Sequence, residues 1–302
     1  MWRNGRRARL KIESRKGWRF ESSLRHKMKK QKIIVVCGPT ATGKSDYAVE
    51  LAKKIGGEVI SADSRQVYKG LDIGSGKITT EEMHGIPHHL LDVADPKDVF
   101  SVSQYQSLAT KTIGEIIARG HTPIICGGTG LYIDAVVCGT IFPAVAPNPK
   151  LRTELQELSL EDLQQRLETL DPRRFDLVDK KNKVRLIRAI EIATELGTVP
   201  ELTKNPEYDI DWHYLDLPDD VLKKRIHDRL IKRLDMGMVE EVERLHTEGV
   251  SWERLESLGL EYKYLALFLQ NKISKEIMIE NIQKDSWQYV KRQRTWFKKY
   301  AK

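Results

Sequence analysis

Cysteine is scarce in this 302-residue sequence, and the three present, Cys37, Cys126 and Cys138, have neither CxxC nor metal-type spacing. That excludes a disulfide framework and a cysteine-based zinc site, and leads us to expect small buried thiols in a reduced compartment, the cytoplasm. No stretch approaches the roughly eighteen uninterrupted apolar residues of a membrane span, so no membrane segment is expected. Acids are scarce only at the start. Residues 1–30 hold 12 Lys/Arg against two acids, Glu13 and Glu21. The whole chain has 51 bases and 43 acids, which leaves residues 31–302 with 39 and 41, so the net charge of +8 belongs to this leader. The question of a nucleic-acid partner therefore turns on where charge is placed rather than on its sum. The leader lacks the apolar core of a secretory signal. A basic arm, an Arg-rich presequence and a start codon chosen too early all fit it. Met28, followed at once by Lys29-Lys30-Gln31 and a first strand, favours the last, with residues 1–30 disordered or not translated.

What the chain does have is a glycine loop in the right setting. Gly38-Pro39-Thr40-Ala41-Thr42-Gly43-Lys44-Ser45 follows the β-branched run Ile33-Ile34-Val35-Val36-Cys37 and precedes a helix-compatible stretch over residues 46–54. Strand, loop and helix in that order are what a P-loop requires. Backbone N–H groups between Gly38 and Lys44 are expected to turn inward as an anion nest at a helix N-terminus. Lys44 supplies a mobile charge, and the Ser45 hydroxyl is placed to ligate a Mg²⁺ that bridges phosphate oxygens. Such loops are nucleotide-binding, with ATP the ordinary occupant, but the loop alone does not say whose phosphates it holds.

A second strand is expected over residues 58–62, followed by Asp63-Ser64-Arg65-Gln66-Val67-Tyr68. Ligands of open parallel sheets gather beyond the carboxyl ends of the strands, so Asp63 should lie near the P-loop. There it could hold Mg²⁺, accept a proton, or cap the next segment. Gly74-Ser75-Gly76-Lys77 and Pro87-His88-His89-Leu90-Leu91-Asp92 come next. The paired histidines read as packed and hydrogen-bonded, since zinc needs further converging ligands. A helix is expected over residues 103–119 and a buried strand over 122–126. That strand runs into a second glycine turn, Gly127-Gly128-Thr129-Gly130-Leu131-Tyr132, aimed at the same site.

Residues 142–149 read as a linker and residues 151–196 as amphipathic helices, one of them starting at Asp171-Pro172. A last sheet strand is expected over residues 212–217. From Asp219 onward the chain is helical, and Arg225, Arg229 and Arg233 fall at i, i+4 and i+8, a stripe from which at least one guanidinium could reach the phosphates. On the final helix, Ile282, Tyr289 and Trp296 read as the packing face, leaving Lys291, Arg292, Lys298 and Lys299 on the other side. Bases interleaved with aromatics suit RNA. The fold class expected is α/β: a P-loop NTPase-like parallel sheet core over residues 31–142, an inserted helical lobe over 143–210, and a last core strand with C-terminal helices over 211–302.

Taken together, the segments at residues 38–45, 63–68, 87–92, 127–132, 185–191 and 291–297 resemble the tRNA dimethylallyltransferases, or tRNA isopentenyltransferases, of bacterial type. The likeness runs from about Lys32 to Lys299. It implies dimethylallyl diphosphate as donor, with its diphosphate held by Gly38, Pro39, Thr40, Ala41, Thr42, Gly43, Lys44 and Ser45, and with Mg²⁺ on Ser45. It implies an adenosine at tRNA position 37 as acceptor and isopentenyladenosine as product. By the same resemblance Asp63 accepts the amine proton, while Thr40, Lys44 and Arg229 assist catalysis. Asp63, Ser64, Arg65, Gln66, Thr129, Arg152, Val184, Arg185, Leu186, Ile187 and Arg188 would face the tRNA, joined by Lys291 and Arg292. The lobe would grip the anticodon stem-loop, and the protein would act as a monomer. Two departures stand out: Gly74-Ser75-Gly76-Lys77-Ile78 occupies a place where alanine and proline are expected, and the basic leader has no counterpart. The competing readings are a P-loop kinase, which would want an arginine-rich lid; prenylation of a free adenine nucleotide, which would not need the lobe; and an RNA-binding NTP switch, which would want a guanine-reading motif.

Overall fold

A computed structural model describes residues 30–301, so the expectations for the leader fall outside it apart from Lys30. The first half alternates short buried strands with helices. In order these are β1 (Gln31–Cys37), α1 (Lys44–Ile55), β2 (Gly57–Ser61), α2 (Thr80–Met83), β3 (His88–His89), α3 (Val102–Ala118), β4 (Thr122–Gly127) and α4 (Gly130–Val137). The chain then enters β5 (Thr140–Ile141), crosses α5 (Pro149–Glu157), α6 (Leu160–Leu170), α7 (Pro172–Leu177) and α8 (Lys183–Leu196), and returns through β6 (Thr203–Lys204) to β7 (Tyr208–Tyr214). Five helices close it: α9 (Asp219–Asp235), α10 (Met238–Thr247), α11 (Trp252–Leu258), α12 (Leu260–Leu269) and α13 (Lys275–Phe297).

Five strands form one parallel sheet in the order β3-β2-β4-β1-β7. Its central strands β1, β2 and β4 are covered on both faces, which is why β1 reads as an unbroken β-branched run. Ile33, Val35, Cys37, Ile60 and Ile125 point into the core shared with α3, α4 and the C-terminal helices. Ile34, Val36, Val59 and Ile124 pack on the other face against Ala48 and Ala52 of α1. Each such side chain removed from water contributes about 1.5–3 kcal/mol, so the sheet is a rigid base for what its loops carry. Ordinary local chemistry sets the helix ends: Ser101 and Gln104 form a capping box at α3, and Asp171 caps α7 with Pro172 in its first turn.

Helices α5 to α8 bury their own cluster, built on Leu155, Leu163, Leu167, Leu186 and Ile190. The lobe joins the core through the antiparallel pairing of β5 with β6, so it is an insertion on a two-stranded stem. The last core strand begins earlier than the sequence pattern suggested. β7 starts at Tyr208, not near residue 211, because residues 208–214 all pair with residues 31–37 of β1. On helix α13 the expected face packs inward but is broader than the line of Ile282, Tyr289 and Trp296: Ile282 is buried, Tyr289 reaches the Gly128 carbonyl, Trp296 lies against Gly130 and donates to Asp134, and Ser286, Val290, Gln293 and Phe297 complete the buried surface. A line drawn every seven residues drifts around a 3.6-residue helix, whereas steps of four and three follow it.

Candidate active site

The glycine loop and the second glycine turn meet at the carboxyl ends of β1, β2 and β4. There they wall a cleft of about 430 Å³ with residues from α9 and α13. Thr40, Ala41, Gly43, Lys44, Ser45, Asp63 and Arg229, all expected at the site, line it. Gly38 can be only glycine: its φ is +143°, and a Cβ would lie 2.0 Å from the Leu215 carbonyl oxygen. Ala41 is held at φ 64°, a left-handed conformation that ordinary side chains avoid. Gly43 opens α1 with no side-chain cap, so the first N–H groups of that helix face the cleft without a local acceptor. One amide of the expected nest is already taken, since Thr40 N–H donates to Gln293 Oε1 at 2.9 Å.

The charges here are unusual. Lys44 donates to the Pro39 carbonyl at 2.5 Å but meets no carboxylate, and burial, with the neighbouring Arg229 charge adding, pushes it down to about 8. Arg229 makes no hydrogen bond or salt bridge to any described residue, and burial followed by the charge of Arg233 brings it down to about 10. Arg225 donates to the Ala41 carbonyl at 3.3 Å. The arginine stripe of α9 is therefore not a solvated face: two of its members line the cleft, and Arg233 reaches the neighbouring Gly74 carbonyl. Buried cations without anions are costly, and a polyanionic ligand would relieve them.

Asp63 Oδ1 accepts the backbone N–H groups of Arg65 at 2.8 Å and Gln66 at 3.4 Å, so the turn after β2 fixes the carboxylate by its own backbone while Oδ2 has no partner among the described residues. Thr129 Oγ1 accepts the Ser64 N–H at 3.0 Å, which joins this turn to the second glycine turn. Gln66 lines the cleft, held between Ser61 and the Gly76 carbonyl. Cys126 also lines the cleft, but burial pushes it and Cys37 up to about 12, so neither is a thiolate nucleophile.

The lobe residues behave otherwise. Arg152 holds both oxygens of the buried Glu191 at 2.8 Å, and Arg188 joins it at 3.2 Å. Arg185 pairs with Asp179 at 3.4 Å, and Val184 is 76% exposed. Leu186 and Ile187, by contrast, are buried in the lobe core, so their side chains are not presented to an RNA. The periodicity of α8 turns those two inward while Val184 and Arg185 stay out. Lys291 and Arg292 are exposed on α13.

Sequence reasoning missed Gln293, Tyr289, Ser75, Gly76, Glu82 and Asp228, which also line the cleft. Gln293 is 4% exposed and ties Thr40 N–H to the Gly128 carbonyl, 3.0 Å from its Nε2, binding one glycine turn to the other. Its only sequence signal was a polar residue at a buried step of α13.

The description of the IPP transferase family matches residues 66–300. The chain belongs to the IPP transferase family. It is 43% identical over 271 residues to tRNA dimethylallyltransferase 2 of Citrifermentans bemidjiense, covering 88% of this chain and 86% of that one. It is 43% identical over 279 residues to tRNA dimethylallyltransferase 2 of Treponema denticola, covering 90% and 93%. Among solved structures, the full-length tRNA isopentenylpyrophosphate transferase from Bacillus halodurans matches with a TM-score of 0.67 at 36% identity, covering 89% of this chain and 87% of that one. A eukaryotic dimethylallyltransferase acting on tRNA matches with a TM-score of 0.72 at 27% identity, covering 88% and 70%. This member of the IPP transferase family is thus an enzyme, a transferase on an α/β P-loop-like core. No helix among its described residues is long and apolar enough to cross a membrane.

Proposed function

We propose that this enzyme transfers a dimethylallyl group from dimethylallyl diphosphate to the exocyclic amine of adenosine 37 in the anticodon loop of tRNA. The observation that carries the assignment is the pair of buried cations without a carboxylate partner, Lys44 of the glycine loop and Arg229 of α9, in a cleft that also holds Asp63.

The amine nitrogen attacks the allylic carbon as the carbon–oxygen bond to the diphosphate breaks, and the bonding pair leaves with the diphosphate. Lys44, Arg229, Arg225 and the open N–H groups of α1 stabilise the charge that develops on that leaving group. Asp63, oriented through Oδ1, accepts the amine proton at Oδ2. Thr40, whose backbone is fixed by Gln293, lies beside the donor. Among the described residues no three His, Cys, Asp or Glu side chains converge as a metal cage. The hard oxygen of Ser45 in the cleft suits Mg²⁺ shared with a diphosphate, as this ion is commonly bound. When bound there, Mg²⁺ would supply further neutralisation of the leaving group.

The adenine must leave the anticodon-loop stack to enter the cleft, at a cost of a few kcal/mol. Ser64, Arg65, Gln66 and Thr129 at the rim would receive it. Val184, Arg185 and the exposed Lys291 and Arg292 would meet the stem-loop.

The test is transfer of labelled dimethylallyl groups to an anticodon stem-loop carrying adenosine or guanosine at position 37, with ATP as a decoy donor. Label on the adenosine substrate alone is expected. ATP consumption with no labelled RNA would hand the cleft to phosphoryl transfer instead.

A further inference from the structure

The loop over residues 72–77, set apart in the sequence by its departure from the family pattern, has no role in the mechanism above, yet Ser75 and Gly76 wall the cleft. Its hydrogen bonding is governed from far along the chain. Glu241 on α10 is 4% exposed and forms no salt bridge with any described residue. Its Oε2 accepts the backbone N–H groups of Asp72 at 3.0 Å and Ile73 at 2.6 Å, and its Oε1 accepts that of Gly74 at 3.1 Å. Tyr262 on α12 donates its hydroxyl proton to Glu241 Oε1 at 2.9 Å and accepts the Ser75 N–H at 3.1 Å. Two side chains thus satisfy four successive backbone amides.

The glycines are there because of close approach. A Cβ on Gly74 would lie 2.8 Å from the Tyr262 ring, and one on Gly76, whose φ is +62°, would lie 1.6 Å from Arg233 Nη2 and 3.1 Å from Arg229 Nη2. Arg233 in turn donates to the Gly74 carbonyl at 3.3 Å and pairs with Glu261 at 3.5 Å. Lys77 lies on the other side of the matter: it bonds the Tyr68 carbonyl and pairs with Asp72 and Asp92, which makes it a staple of the loop's base rather than a phosphate ligand. A buried carboxylate with no cation is stable only when donors fill its lone pairs, and here the donors are the loop itself.

We propose that Glu241, acting with Tyr262, is a positioning residue for prenyl transfer: it fixes residues 72–76 as the wall that seats Arg229 against the donor diphosphate. The inference rests on reading the cleft as the donor site. Glutamine at position 241 keeps the shape but turns an N–H₂ group toward backbone donors, so the loop must move away and Arg229 loses its backing. Phenylalanine at position 262 removes only the acceptor for Ser75 N–H and one donor to Glu241.

The experiment measures kcat and the separate KM values for dimethylallyl diphosphate and for an anticodon stem-loop, together with Tm, on full-length Glu241→Gln and Tyr262→Phe, with Arg229→Gln as reference. The expected result is a donor KM raised about tenfold or more in Glu241→Gln and about threefold in Tyr262→Phe, with the stem-loop KM within twofold of wild type. Unchanged KM values with kcat falling in step with Tm, in a setting where Arg229→Gln raises the donor KM, would reduce Glu241 to a purely structural residue. Should Glu241→Gln fail to fold, the Tyr262→Phe result decides alone. An unchanged donor KM in Arg229→Gln itself would remove the donor site from this cleft, and the positioning role with it.

Discussion

At the amino ends of β2 and β4, Glu58 is 2% exposed and receives Arg119 through two hydrogen bonds, with His89 and His121 at 2.6 Å each. At the carboxyl ends of the same sheet, Lys44 and Arg229 are buried with no carboxylate to meet them. The first end is electrostatically closed. The Arg119 guanidinium, helped by the two histidines, holds Glu58 down at about 2. The second end is open, and its cations are held below their ordinary values. Closed charge at one end of a sheet and open charge at the other show where a fold is held together and where it waits for an anion.

The largest effect separating the two ends should come from Asp63. Asp63→Ala is expected to lower transfer by roughly a thousandfold while tRNA affinity stays within about twofold, since general-base contributions run to 10²–10⁴; single-turnover rates and filter binding would measure both. Full activity in that variant would take Asp63 out of the base role.

Next comes Lys44→Met. Donor affinity should fall by at least tenfold, yet the ligand-free protein should melt at the same temperature or higher, because a buried cation with no carboxylate partner has been removed. Arg119→Met should do the reverse, with donor KM unchanged and a lower melting temperature through the loss of charge-assisted hydrogen bonds to the buried Glu58. The two melting curves, side by side, test the comparison.

Acid sharpens it further. Because the folded state depresses Glu58, its contribution to stability is complete above the ordinary carboxylate value of 4.5 and is lost as pH falls toward about 2. In Arg119→Met, acid unfolding should therefore begin at a higher pH than in the wild type.

The smallest effects should lie in the lobe. Arg152→Ala leaves the buried Glu191 with Arg188 and the Asn148 N–H, so it should lower the melting temperature by a few degrees. Val184→Ala, at an exposed position, should leave stability unchanged and shift only stem-loop affinity.

The strands, the P-loop, the second glycine turn and the insertion of a helical lobe could be read from the sequence because each is written in contiguous residues with a local cause: a β-branched run, a glycine where no Cβ fits, a proline after a capping aspartate. The arginine of α9 was legible in part, since helical spacing placed three guanidinia on one stripe. What sequence reading could not supply were bonds across distance. Gln293 reaches Thr40 over 253 residues and Glu241 reaches Asp72 over 169, and no local pattern marks either. A motif transferred residue by residue does not say which side of a helix each residue takes, and on α8 Leu186 and Ile187 take the buried one.

The central claim, that the open cations at the carboxyl end of the sheet form the donor site, is tested most directly by titrating dimethylallyl diphosphate into wild-type and Lys44→Met protein across pH 7 to 9. Burial holds Lys44 at about 8, so its charge is present below that pH and lost above it. Wild-type affinity should be flat up to about 8 and weaken beyond, while the variant should bind weakly and lack that step. Equal affinity and an identical pH profile in the two proteins would contradict the account.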